Sequence, residues 1–353
     1  MKTILCRILL VFGIAGWFSL FAYNGIQYGN QELGGVIQLW HKTQNQMLPT
    51  DSGRSTYESA FQLNHAQLRL EGEVISGMVG YRIKVECLSI PEIEEAYIRW
   101  WVARGLEIRF GHFAPNFTLY GAASVDSLEA PYYPLIDQYM GPYRQVGFEI
   151  TQKSRYVQIC GGFFNESHAA DIILDYNTYK EVLLRADITP FDFTRLVLNG
   201  IYDQQEYRLA RDLECLRVGI AIKVDWEQLI AIRAELVQRW METYYGLNYT
   251  QTRDITSEGI LLHLGYHFTP RLETRIRYEW YDGDLDRNGS WTDDIFYLRE
   301  STMLGISYDI IPNRFLINGY YLHQVREPGL FGFNPSGVWH TNEEAILEFQ
   351  LSF

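Results

Sequence analysis

Residues 66–74 read AQLRLEGEV, a stretch in which large apolar side chains alternate with polar or charged ones. Successive side chains of an extended chain point to opposite faces, so Leu68 and Leu70 share one face while Arg69 and Glu71 share the other. A strand with one apolar and one ionised face is typical of a sheet that separates an apolar phase from water. The rest of the chain is interpreted from this pattern.

The same alternation returns along the whole chain. We count about sixteen such segments of about ten residues each, the length that a tilted strand needs to cross a bilayer. They begin near residues 35, 60, 77, 94, 106, 143, 156, 179, 193, 211, 229, 258, 271, 299, 314 and 343. Short connections alternate with longer ones, as in outer-membrane barrels, whose short turns face the periplasm. The expected fold class is therefore all-β, a transmembrane antiparallel β-barrel of about sixteen strands formed by residues 23–353.

Composition agrees with a large folded protein and excludes some partners. The chain has 353 residues, of which 47% are hydrophobic and 15% aromatic, and its formal net charge is -13. An acidic chain is not expected to bind nucleic acid. The mean hydropathy of -0.16 resembles that of a water-soluble protein, and the alternative is a soluble β-sandwich or propeller. Charge on the second face of strand after strand instead favours a water-filled barrel.

The first residues predict export from the cytoplasm. Lys2 and Arg7 precede an apolar run over residues 8–18, and Ala22 offers a small residue for cleavage. This order is typical of a signal peptide, which we assign to residues 1–22. The alternative is an uncleaved anchor helix. In either case the chain leaves the cytoplasm. A cleaved signal peptide and the barrel pattern together predict the outer membrane of a Gram-negative type of bacterium.

The last residues, 345–353, read AILEFQLSF and again place an apolar side chain at every second position. Such a strand needs lipid over its apolar face and a partner along its edge. We expect it to close the ring against residues 36–41. Phe353 resembles the terminal signature of outer-membrane barrels in general.

Aromatic residues near the ends of the strands predict girdles at the two membrane interfaces. Trp40, Trp240, Trp280 and Tyr281 lie at the ends next to long loops, and Trp226 lies in a short turn.

Metal and disulfide signals are sparse. Cys87, Cys160 and Cys215 cannot all pair with one another, and their spacing does not suggest zinc. Asp284, Asp286 and Asn288 have the oxygen spacing of the first half of a calcium loop, although Ile295 stands where the bidentate glutamate is needed. The alternative is a plain acidic loop, and no other cofactor is expected.

Three motifs resemble the phosphate-selective porin O and P family of outer-membrane porins. Residues 66–72 (AQLRLEG) resemble an early strand of that family, and residues 95–98 (EAYI) resemble its Asp-Ala-Tyr strand. Residues 111–120 (GHFAPNFTLY) are similar to the family's Gly-x-Phe-x-Pro-Pro-Phe-x-Leu-Glu, with Asn116 and Tyr120 replacing a proline and the glutamate. The resemblance implies a homotrimeric, sixteen-stranded porin in outer-membrane lipid, with a long third external loop folded into the lumen. It also implies passive diffusion of small ions and hydrophilic solutes. Phosphate selectivity does not follow from it, because acidic as well as basic residues are expected to line the wall, and anions such as phosphate are one candidate class of solute.

The alternation then predicts which charges line the pore. The expected wall residues are Arg69, Arg82, Lys84, Arg99, Arg109, Arg185, Arg217, Arg233, Arg275, Arg277, Glu71, Glu107 and Glu235. The third loop carries Asp126, Glu129 and Asp137, which would face the basic wall and form a transverse field at the constriction. The alternative is that the wall charges pair with one another and stiffen the barrel. Excess acidic residues in the loops favour cations at low salt.

Two other function classes stay open at this point. A surface receptor or adhesin would use the acidic loops and conduct little current. A barrel hydrolase would need an activated nucleophile, and the sequence has no Gly-x-Ser-x-Gly elbow. Enzymatic activity is not expected.

Overall fold

The computed structural model describes residues 31–47, 55–88, 90–165, 180–205, 213–245, 251–285, 298–312, 314–326 and 340–353. Within these ranges sixteen strands form one closed barrel in which each strand pairs with its neighbours in sequence and the last pairs with the first. The predicted fold class is thereby confirmed. No helix of the described residues is long and apolar enough to cross a bilayer. The predicted signal peptide, residues 1–22, lies outside the described residues.

Strand bounds agree with the sequence pattern to within a few residues in most cases. The strands are β1 Gln31–Met47, β2 Ser55–Ile75, β3 Val79–Glu86, β4 Glu92–Ala103, β5 Leu106–Phe113, β6 Gln145–Lys153, β7 Val157–Asn165, β8 Lys180–Phe191, β9 Thr194–Gln205, β10 Leu213–Trp226, β11 Ile230–Tyr245, β12 Gln251–Thr269, β13 Leu272–Asp282, β14 Arg299–Ile311, β15 Phe315–Arg326 and β16 His340–Ser352. One short α-helix, α1 Leu135–Tyr139, and a 3-10 helix, Val125–Ser127, lie between β5 and β6.

The two faces of the wall follow the alternation. Leu68, Leu216 and Ile276 are exposed on the outside of the barrel, whereas Arg217 and Glu279 on the inside are buried. Apolar side chains cover the outside strand after strand, and such a surface is stable when lipid rather than water covers it. Register is strongly set here because a shift of one residue would exchange the faces.

Ring closure occurs where the C-terminal alternation predicts it. Strand β1 pairs with β16 from Val36, opposite Ser352, to Gln46, opposite Asn342. Along β16, Leu347 faces outward and Glu348 is buried inside. No edge is left along this seam, which removes the site where another chain could add a strand.

Two of the predicted girdle residues lie inside the barrel instead. Trp40 is only 1% exposed, and its indole Nε1 donates a hydrogen bond to Glu348 Oε2 at 2.9 Å. Tyr281 is buried as well, and its ring stacks on Tyr139 with 4.8 Å between centroids. Their positions near strand ends suggested the membrane interface. Both residues, however, occupy positions whose side chains alternate toward the inside of the barrel. Trp240 does face outward, as predicted.

Candidate functional site

The segment between β5 and β6, residues 114–144, folds back into the barrel and is called the inner loop here. Its start is fixed by Gly111 in β5, whose φ of +135° is a conformation that favours glycine. A Cβ at this position would collide with the backbone oxygen of Ala96 on β4. Beyond it, Phe113 and Phe117 are fully buried, so the chain enters the lumen directly from the wall.

Apolar contacts hold the inner loop against two parts of the wall. On one side Phe117, Ile136 and Met140 pack in a cluster with inward-facing wall residues of β8, β9, β11 and β12, which are Leu183, Ile201, Val237 and Leu261. On another side Ala130 and Tyr132 pack with Trp40, Met303, Tyr320, Leu322 and Ile346. The alternation had predicted a charged, water-lined wall throughout. Here the wall is apolar because the inner loop, rather than water, covers it.

Close packing requires a small wall residue at one point. Gly259 on β12 faces α1, where an added Cβ would lie 2.8 Å from Cγ1 of Ile136 and 3.1 Å from Sδ of Met140. Glycine therefore lets the helix approach the strand backbone, and the contact is tight enough to exclude a side chain.

Arginines of the wall bind the backbone of the inner loop. Nη1 of Arg185 donates to the carbonyl oxygens of Asn116, Phe117 and Thr118 at 3.2, 3.1 and 2.9 Å. Asn199 Nδ2 donates to the same Phe117 oxygen at 2.6 Å. Charge-assisted hydrogen bonds of this kind are stronger than neutral ones, so this corner is firmly anchored.

Three further predicted wall arginines anchor the loop in the same way. Arg217 Nη1 donates to the carbonyl of Met140 at 3.0 Å. Arg275 Nη1 donates to the carbonyl of Glu129 at 3.2 Å. Arg277 donates through both terminal nitrogens to the carbonyl of Tyr132, each at 3.1 Å. These residues face the lumen, but their donors are used by the loop.

The predicted charges on β2 to β5 lie in a more open part of the lumen. Side chains of Arg82, Arg99 and Glu107 are 28%, 29% and 32% exposed, against 3% for Arg185. Arg82 pairs with Glu71 at 2.7 Å, Arg99 with Glu107 at 3.5 Å and Arg69 with Glu71 at 3.7 Å. Opposite charges therefore alternate along this wall.

Two predicted basic residues of this side are more enclosed. Arg109 binds Glu149 at 2.6 Å, and its guanidinium lies 4.2 Å from the ring centroid of Phe113. Lys84 binds Glu94 at 3.0 Å and donates to the Ser124 hydroxyl of the inner loop, also at 3.0 Å. The loop thus contacts the wall at β3 as well as at β8 to β13.

Strand pairing brings five basic residues into one line. Arg195 lies opposite Lys223, Lys223 opposite Arg233, Arg233 opposite His263, and His263 opposite Arg277. We call this line, which crosses β9 to β13, the basic row. Like charges directly opposite one another destabilise a sheet unless they are compensated. Acidic partners of the row are Asp187, Asp225, Glu129 and Glu279.

The acidic residues of the inner loop lie in different surroundings. Glu129 Oε1 accepts from Arg233 Nη2 at 2.9 Å, and Glu129 also accepts a hydrogen bond from the hydroxyl of Tyr120. Asp137, in α1, instead accepts from the Thr118 hydroxyl. Asp126 belongs to the 3-10 helix, and its side chain is outside the described part of the structure. Of the two described carboxylates, Glu129 is therefore the one paired with the basic row.

The surroundings of Glu129 and Asp137 shift their acidities in opposite directions. Burial raises the pKa of Glu129, but His263, Arg233 and the Tyr120 hydroxyl more than offset this and hold the pKa below its ordinary value. Burial raises the pKa of Asp137 to about 7, against smaller opposing effects of Thr118 and Arg277. Glu129 thus stays ionised at neutral pH, while Asp137 titrates near it.

Two remaining predictions concern Glu235 and a calcium loop. Glu235 is buried on β11, where its two carboxylate oxygens accept from the backbone N–H of Leu119 at 3.1 and 3.2 Å. Asp284 is buried after β13, whereas Asp286 and Asn288 lie outside the described residues. Among the described residues no three His, Cys, Asp or Glu side chains are grouped to hold a metal ion.

Arg195 and Arg239 belong to this wall but were not among the predicted pore residues. Arg195 lies at the start of β9 and binds Asp187 at 2.6 Å. Arg239 Nη1 donates to the carbonyl of Tyr139 at 2.9 Å. The alternation of faces could have predicted both residues. Arg195 lies on the same face of β9 as Asn199, and Arg239 lies on the same face of β11 as Arg233.

Comparison with known structures places the fold. The outer membrane channel DcaP of Acinetobacter baumannii matches with a TM-score of 0.71 at 12% sequence identity, over 93% of this chain and 99% of that one. An anion-selective porin from Comamonas acidovorans matches with a TM-score of 0.64 at 12% identity, over 92% and 99% of the two chains. Pseudomonas putida OprB matches with a TM-score of 0.60 at 8% identity, over 92% and 94%. At these identities the likeness concerns the fold, which is that of outer-membrane porins.

Sequence comparison adds no closer assignment. No family model matches the chain, and no curated protein matches it by sequence.

Proposed function

We propose that the protein is an outer-membrane porin, a water-filled channel through which small ions and hydrophilic solutes diffuse passively. The observation that carries this proposal is the closed barrel with an apolar outside and an ionised inside, narrowed by the inner loop. A wall that holds so many charges needs water or fixed counter-charges beside it. The resemblance of the fold to DcaP and OprB supports the same reading.

The inner loop makes this a narrow channel. Polar wall residues such as Gln38, Gln67 and Glu348 are all buried. Gln38 donates to Gln350 at 2.7 Å, and Asn318 donates to Glu348 at 2.8 Å. Side chains that line a wide water-filled pore would be more exposed. We therefore propose that the channel carries small solutes at low conductance.

Anions such as phosphate are part of the proposal. The basic row offers a passing anion four ionised side chains along β9 to β13, which are Arg195, Lys223, Arg233 and Arg277. The motifs at residues 66–72, 95–98 and 111–120 resemble phosphate-selective porins, and one structural neighbour is an anion-selective porin. These similarities support anions as a class of solute for this channel.

We also propose that residues 1–22 direct export and that the mature barrel assembles as a homotrimer in the outer membrane. A trimer form is described for OmpT of Vibrio cholerae, whose fold matches with a TM-score of 0.56 at 9% identity over 92% of this chain. Lipid then contacts the apolar outside of each barrel.

The decisive experiment is single-channel recording of the folded protein in a planar bilayer. Steady ohmic current steps are expected, and the reversal potential under a potassium chloride gradient gives the charge selectivity. Titrating phosphate into the chloride solution measures competition between the anions. A folded barrel without steps would refute the channel, and lipid hydrolysis and ligand binding to the long loops would then be measured.

A further inference from the structure

Glu129 occupies the position of an anion on the basic row. Its carboxylate accepts from Arg233 Nη2 at 2.9 Å and from the Tyr120 hydroxyl, and its Oε2 lies 3.4 Å from His263 Nε2. Arg275 Nη1 holds the Glu129 carbonyl at 3.2 Å, so backbone and side chain are both fixed. Two donors, Arg233 on β11 and Tyr120 in the inner loop, therefore bind this carboxylate, and the His263 ring of β12 lies beside it.

His263 gives independent evidence that this place is built for an anion. The residue is only 3% exposed, and within the described structure neither ring nitrogen has a hydrogen-bond partner. A buried imidazole without a partner is costly, and it needs a compensating group nearby. The group that its Nε2 faces is Glu129, and the residues opposite His263 on the two neighbouring strands are Arg233 and Arg277.

Glu129 differs from the other acidic partners of the row in how it is attached. Asp187, Asp225 and Glu279 belong to the barrel wall itself, on β8, β10 and β13. Among the described acidic partners, Glu129 is the one supplied by the inner loop. Its ionised state at neutral pH follows from the cationic groups around it. The acidic residues of the wall are fixed in the strands beside the row. Glu129 belongs to the inner loop, so it can be substituted without changing a strand.

We infer that Glu129 is a tethered counter-anion that occupies the anion position on the basic row and thereby sets the charge selectivity of the channel. This inference rests on the proposed function. With Glu129 in place, Arg233 is paired and the row attracts free anions less strongly. Without the Glu129 charge, Arg233 Nη2 binds only Asp225 and becomes available to a small oxyanion such as phosphate, which offers the same acceptor oxygens beside the His263 ring.

The test compares Glu129→Gln with the matched control Glu58→Gln, which removes an exposed carboxylate on β2. Glutamine keeps an acceptor oxygen but removes the charge. In Glu129→Gln, the reversal potential under a potassium chloride gradient should move toward that of chloride. The phosphate concentration that halves the chloride current should fall about tenfold, the effect of one contacting charge in a partly screened site. Glu58→Gln should behave like the unmodified protein.

The double variant Glu129→Gln/Arg233→Gln should lose the tenfold gain in phosphate block, because the main donor is gone. Equal reversal potentials and equal phosphate block in Glu129→Gln and Glu58→Gln would overturn the inference while leaving the channel intact.

A second readout does not depend on current. In detergent, phosphate at constant ionic strength should raise the Tm of Glu129→Gln more than that of the unmodified protein. If the barrel conducts no current, the proposed function fails, and this Tm difference still decides whether Glu129 competes with an anion. Its absence would overturn the inference.

Discussion

Replacing Arg185 should release the inner loop from the wall. Arg185 Nη1 donates to three consecutive carbonyls of the loop, while its other nitrogens bind Asp187. Arg195 binds the same Asp187 at 2.6 Å and makes no hydrogen bond or ion pair with the loop among the described residues. Arg195→Gln is therefore a matched control for Arg185→Gln. Both variants remove a positive charge from Asp187, but only one removes donors from the loop.

The size of the effect follows from the contacts. One charge-assisted hydrogen-bonding group contributes about 1.5–3 kcal/mol. Nη1 is shared by three carbonyls, and Asn199 still binds one of them, so we count it as a single group of about 2 kcal/mol. A loss of this size raises the displaced population of the loop by about thirtyfold. Barrel pairing is unaffected, so the change is local rather than global.

Two measurements check this prediction. Backbone amides of residues 117–121 should exchange hydrogen about thirtyfold faster in Arg185→Gln than in Arg195→Gln. Single-channel records of Arg185→Gln should show brief excursions to higher conductance, since a displaced loop widens the lumen. Equal exchange rates in the two variants would refute the view that Arg185 anchors the loop.

Three further outcomes are expected. Gly111→Ala should reduce the yield of folded barrel, seen as heat-modifiable migration in gels, because β4 leaves no room for a Cβ; Gly161→Ala, with 3.6 Å to its nearest neighbour, should fold normally. Trp40→Phe should lower the free energy of unfolding by about 1–3 kcal/mol in urea titrations by leaving Glu348 without one donor. Because burial raises the pKa of Asp137 to about 7, the folded loop holds a proton that the displaced loop releases above about pH 4. The protection factors of the loop amides, which correct for the intrinsic rise of amide exchange with pH, should therefore fall from about pH 4 to pH 7 and level off above, and Asp137→Asn should remove this dependence; an unchanged profile of protection against pH in that variant would contradict the assignment.

The sequence predicted that acidic side chains of the loop would face the basic wall across the lumen and form a transverse field. In the structure the two described acidic side chains of the loop are instead bound at short range. Glu129 contacts Arg233 directly, and Asp137 is turned toward Thr118. Arg275 and Arg277 hold loop carbonyls, so replacing them would disturb the loop as well as the charge of the wall. Charge selectivity is therefore tested more cleanly at Glu129 than at these arginines.

The sequence by itself determined the strands, their faces and the closure of the barrel. Alternation is a local property, because neighbouring side chains of an extended chain must point to opposite faces. Leu68 and Arg69 therefore identify the outer and inner faces of β2 without knowledge of any other strand. The same rule would have placed Trp40 inside, beside Gln38, had parity been preferred to its position near a strand end.

Only the tertiary structure decided which charges meet. Arg195 and Arg277 belong to one row although 82 positions separate them, because the register of four strand pairs aligns them. The path of the inner loop is likewise set by distant groups, with Phe117 held by Arg185 and Ile136 packed on Gly259. Contacts between residues far apart depend on the register and on the shape of the closed lumen, neither of which a local pattern encodes.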